Sequence, residues 1–112
     1  MKLDHLTPDE DVVLLGWMRE IVQTDGEYSD AEREEVEKLR ALLGDMRFEH
    51  AMQLASERLP NRAALKEAAK HVTRPEARRA IYDFLREVAE SDEVTADEEK
   101  PLRWLASWWD LA

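Results

Sequence analysis

Apolar residues recur along the chain at helical spacing, and no stretch alternates at the two-residue spacing of a strand. Leu14, Leu15, Trp17, Met18, Ile21 and Val22 form one arc of a first helix expected from Pro8 to about Thr24. Thr7-Pro8-Asp9-Glu10 opens it as a capping box with proline at the first helical position. Ser29-x-x-Glu32 opens a second helix that runs to about Leu43, where Gly44 stops it. Asp45 is placed to cap a third, with Phe48, Ala51, Met52, Ala55 and Leu59 inward and Pro60 at its end. Asn61 is placed to cap a short fourth, with Leu65, Ala68, Ala69 and Val72 inward. Thr73-x-x-Glu76 reads as the capping box of a fifth, with Pro75 in its first turn. A sixth begins after Thr95, where Pro101 lies too deep for a first-turn proline and implies a kink or a later start. Gly16, off its arc, marks either a close backbone contact or an idle residue costing roughly 1 kcal/mol.

The pattern is written nearly twice. Leu14, Trp17, Met18, Ile21 and Asp25 have the spacing of Ile81, Phe84, Leu85, Val88 and Asp92, an offset of 67 residues. Glu32, Val36, Leu39 and Leu43 have the spacing of Glu98, Leu102, Leu105 and Trp109, an offset of 66, so the second loop is one residue shorter. Two pseudo-equivalent helical hairpins, each carrying an acidic turn, follow from this duplication. The expected fold is all-α: one compact bundle of about six helices, a single domain over residues 1–112.

In each turn a carboxylate ends one helix and another begins the next. Asp25 closes the apolar face of the first helix, where a negative charge opposes the helix dipole by roughly 0.3–1 kcal/mol. Glu32 is the last residue of its capping box and also lies four and seven residues ahead of Val36 and Leu39, on the inward stripe. Thr95 and Glu98 repeat the box, with Asp92 in the place of Asp25. One reading makes Glu32 and Glu98 caps and lets Asp25 bond its own turn. The other makes Asp25, Glu32, Asp92 and Glu98 oxygen ligands of a cation, which would offset both the repulsion and the dipole conflict. The turn is no EF-hand, because Gly26 follows Asp25 directly.

Composition narrows the chemistry. The chain has no cysteine, so disulfides, thiolate metal sites and cysteine nucleophiles are excluded. His5, His50 and His71 show no metal spacing and read as surface residues, and neither a phosphate-cradling glycine loop nor a nucleophile signature is present. No enzyme is specified. A hard cation, Ca²⁺, Mg²⁺ or Mn²⁺, suits carboxylates of this kind. The opening Met1-Lys2-Leu3-Asp4-His5 turns polar at once, and no apolar run approaches the ~20 residues of a membrane span. The expectation is a cytoplasmic protein without direct membrane insertion.

Net charge is −10, which argues against nucleic acid as a partner. The charge is uneven: residues 25–37 hold seven acids and one arginine, whereas residues 62–79 hold six basic residues and two glutamates. Arg62, Lys66, Lys70, Arg78 and Arg79 form either a solvated face or a surface that docks on the acidic turns of another copy or on an anionic surface. On the last helix Leu102, Leu105 and Trp109 continue the core stripe, leaving Trp104, Trp108 and Leu111 as a separate edge. That edge either packs on the third or fourth helix or serves a partner or a homodimer.

A helix ending in apolar-x-x-x-Asp-Gly, then Ser/Thr-x-x-Glu and a second helix, repeated after an intervening pair, resembles the TerB-like domain. That family includes tellurite-resistance TerB proteins and the N-terminal domain of certain membrane-anchored DnaJ-like co-chaperones. The resemblance spans about Leu14 to Leu111, with Glu93 in place of the second turn's glycine. It implies an acidic helical bundle tied to divalent cations and to stress-response complexes. By position, the family's acidic turn residues fall on Asp25 and Glu32, and again on Asp92 and Glu98. The resulting expectation is a non-enzymatic acidic interaction module with a divalent cation at its turns. The alternative is a metal-independent adaptor whose turns, Glu27 and Asp30 included, engage a basic protein, with Trp104 and Trp108 as a second contact.

Overall fold

A computed structural model of the chain describes residues 3–23, 29–91 and 96–111. A short 3-10 turn, Leu3–His5, precedes six helices: α1 Pro8–Gln23, α2 Asp30–Leu43, α3 Asp45–Arg58, α4 Arg62–Lys70, α5 Pro75–Glu90 and α6 Ala96–Trp108. The all-α bundle measures 31 × 30 × 26 Å.

The first helix is the axis of the bundle. Its arc was expected on one side, but every residue from Glu10 to Met18 is buried. The reason is its surroundings: α3, α4, α5 and α6 all pack on α1. A helix enclosed on every side must be close to apolar all round. Gly16 lies against the C-terminal end of α3 and against α4. A Cβ there would lie 2.8 Å from Leu59 Cδ1 and 2.9 Å from Leu65 Cδ2. The glycine marks a close approach.

Capping explains most helix ends. Thr7 Oγ1 accepts from the Glu10 amide at 3.2 Å, and Glu10 Oε1 accepts from the Thr7 amide at 2.8 Å. Asn61 Oδ1 accepts from the Ala64 amide at 2.9 Å. Two expected caps are not used. Asp45 is the first residue of α3, Gly44 takes the cap position at φ 88°, and no side chain caps the helix. At α5 the cap is Arg74 with Pro75 first in the helix, so Thr73 lies one residue before the cap and Glu76 is the second helical residue rather than the third. α6 starts at Ala96 and continues through Pro101, so a later start is ruled out.

The core stripes of α5 and α6 are those the periodicity marks. Ile81, Phe84, Leu85 and Val88 are buried, as are Leu102, Leu105 and Trp109. α2 packs on α3 and α5, while α6 packs on α5 and α1. The two helices that begin with Glu32 and Glu98 in their first turns therefore share α5 as a neighbour.

Candidate functional site

Four acids are buried among the described residues: Glu10, Asp11, Glu32 and Glu98. Two of them are held by arginines. Arg47 holds Asp11 through Nε and Nη2, at 2.7 and 2.8 Å. Arg74 holds Glu10 through both of its oxygens, and this guanidinium keeps the Glu10 carboxyl below its usual range. These pairs tie the start of α1 to α3 and to the start of α5. Sequence spacing gave no sign of them, because the partners lie 36 and 64 residues apart.

Glu32 is different. Ser29 caps α2 from extended backbone, its Oγ accepting from the Glu32 amide at 3.1 Å. Glu32 Oε1 answers by accepting from the Ser29 amide at 3.2 Å. The capping box thus accounts for one carboxylate oxygen. The other, Oε2, is buried with no hydrogen-bond partner among the described residues, in a side chain whose residue is only 3% exposed. Val36 and Leu39, the next inward residues, hold this face of α2 in the core. A buried carboxylate oxygen with no donor is costly, on the order of 1–3 kcal/mol or more for a charged group. It is also a ready ligand.

The second acidic turn is built differently. Glu98 is 2% exposed in the first turn of α6. Beside it, Glu99 receives Arg86 of α5 at 2.8 and 3.1 Å, and Arg86 also donates to the Tyr82 hydroxyl at 2.8 Å. The arginine holds the Glu99 carboxyl below its usual range. In the first half the corresponding positions are Arg19 and Arg33. Arg19 turns away to Ser56 Oγ and the Leu59 carbonyl. The duplication therefore reproduces the buried glutamate but not the arginine–glutamate clamp next to it.

Asp25, Glu27 and Asp92, with the Thr95 cap, lie outside the described residues. Among the described residues no three His, Asp or Glu side chains gather as a metal cage. Asp30 is exposed at the start of α2. The three histidines are exposed. No described helix is long and apolar enough to cross a membrane.

The aromatic edge of α6 divides between core and surface. Trp104 stacks on the fully buried Trp17 at 5.8 Å between centroids, and Trp108 stacks on Trp104 at 5.9 Å. Lys66 and Lys70 of α4 lie over Trp104 and Trp108, at 5.2 and 5.0 Å from the ring centroids. Trp109 Nε1 donates to the Ala69 carbonyl at 2.9 Å, which fastens α6 to α4. Trp104 is partly buried against this framework, whereas Trp108 remains 48% exposed. Much of the basic segment is engaged locally: Arg62 with Glu20, Arg78 with the Val72 carbonyl, Arg79 with Asp83.

Compared with known proteins, the chain matches no protein-family model, no curated protein and no solved structure.

Proposed function

We propose that the protein is an acidic interaction module that takes up a hard divalent cation at its first inter-helix turn. Glu32 is the inner ligand, and Asp25 joins it from the turn that precedes α2. Asp92 and Glu98 form the corresponding half-site of the second turn. The observation that carries this reading is the buried Oε2 of Glu32, which has no hydrogen-bond partner among the described residues. A cation there would convert an unfavourable burial into coordination, and an oxygen-only ligand set selects Ca²⁺, Mg²⁺ or Mn²⁺. The same function is implied by the TerB-like resemblance, which places its acidic turn residues on these positions.

The test is thermal unfolding of the full chain with and without millimolar cation. Binding to the folded state alone stabilises by about 2.7 kcal/mol when free ligand is 100-fold above Kd. The melting temperature should rise in the wild type and stay put in Glu32→Gln combined with Asp25→Asn. An unchanged wild-type melting temperature with all three ions would end the proposal. A metal-independent adaptor is the second reading, and exposed Trp108 favours it. It predicts partner capture that chelator does not affect.

A further inference from the structure

We propose that the face formed by α4 and α6 docks on the acidic outer face of α2 in a second copy of this chain. The α4–α6 face presents Lys66 and Lys70 one helical turn apart, each seated over an indole. Among the described residues Lys66 makes no ion pair, and Lys70 pairs with Glu67 alone, at 3.7 Å. An indole face attracts an ammonium but accepts none of its N–H groups in the way a carboxylate does. Both cations therefore keep their capacity for an anionic partner. Beside them the half-exposed Trp108 is rigid, stacked on a Trp104 that is itself stacked in the core. A fixed, half-exposed aromatic flanked by cations has the character of an interface anchor.

The complement is on the same chain. Asp30, Glu34, Glu37 and Ala41 share one exposed face of α2, and Leu42 at its end is 48% exposed. Asp30 and Glu34 make no ion pair among the described residues, and the Arg40 guanidinium is 3.8 Å from Glu37. Acids spaced by one turn match lysines spaced by one turn. α2 packs on α3 and α5, and α4 is seated on α1, so the two faces belong to different parts of the bundle. They meet only between copies. Because the faces differ, the contact is head-to-tail and builds rings or open chains rather than an isologous dimer. A net charge of −10 disfavours nucleic acid or an anionic bilayer at the lysines. Between copies the same net charge is screened beyond about 8–10 Å at 0.1–0.15 M salt, while contact pairs persist. The proposal stands whether or not a cation occupies the Glu32 turn.

Sedimentation velocity on the full chain tests it. At about 0.1 M salt the wild-type mass should rise with concentration, and at about 1 M, where screening reaches ~3 Å, it should return to monomer. Lys66→Glu with Lys70→Glu, and separately Glu34→Gln with Glu37→Gln, should each be monomeric alone. Their equimolar mixture retains one intact pair of faces and should form a 1:1 complex of doubled mass. Trp108→Ala should weaken association at least tenfold. Circular dichroism matching the wild type establishes that each variant is folded, and Lys66→Gln with Lys70→Gln replaces the reversal if it is not. A wild type monomeric at every concentration overturns the proposal. So does a mixture that stays monomeric, or a lysine variant that associates like the wild type. Wild-type chain that stays monomeric but binds a single-stranded oligonucleotide or anionic phosphatidylserine vesicles through Lys66 and Lys70 also overturns it.

Discussion

A serine hydroxyl 3.1 Å from the Glu32 amide fixes where α2 begins, and the same contact orients the carboxylate. With Oε1 accepting from the Ser29 amide, Oε2 is turned into the buried side of the helix. The cap is thus a positioning device as well as a local stabiliser. Ser29→Ala should cost about 1 kcal/mol of unfolding free energy in urea, the usual worth of such a cap. Thr73→Ala should cost close to nothing, because Arg74 holds the cap position of α5 and no side chain closes there. Equal losses in both variants would contradict this assignment. The two motifs are indistinguishable as Ser/Thr-x-x-Glu strings. What separates them is Pro75, whose fixed φ and missing N–H favour the first helical position and shift the frame by one residue. Legibility at this scale was therefore partial. The inward placement of Glu32 and Glu98 follows from their spacing to Val36, Leu39, Leu102 and Leu105. The orphaned oxygen does not, because it depends on what fails to reach it from other helices.

At the scale of elements, the number of helices and the core stripes of α5 and α6 were readable because the apolar residues recur at helical spacing between glycine, proline and Ser/Thr/Asn signals. The role of α1 was not. A one-sided arc and an enclosed helix differ at Val12 and Val13, and their burial depends on α3 and α4 closing the far side. Gly16 records that closure. Gly16→Val should destabilise the fold by roughly 1–3 kcal/mol, since the added branches meet buried Leu59 and Leu65. Denaturant unfolding checks it, and an unaffected midpoint would mean that α3 and α4 yield freely at this crossing. The α6 edge teaches the same lesson. Trp104 and Trp108 are alike in sequence, yet the first is sandwiched between two indoles and the second ends the stack in solvent. Their roles separate only when α4 and Trp17 are in place.

For the whole molecule, charge is the organising quantity. Twenty-six acids against sixteen Lys and Arg leave an acidic body. Within it, Arg47, Arg74 and Arg86 neutralise Asp11, Glu10 and Glu99 where helices meet. Lys66 and Lys70 rest on indoles instead. The buried Glu32 oxygen stands outside this scheme, and the proposed cation completes it. Mn²⁺ titration followed by amide NMR tests that claim most directly, because the paramagnetic ion broadens only the signals near it. Sub-stoichiometric Mn²⁺ should broaden the Ser29 to Arg33 amides first, and Glu32→Gln should abolish this selectivity. Broadening that instead spreads over the exposed glutamates of α2 and α3, and is the same in Glu32→Gln, would contradict it.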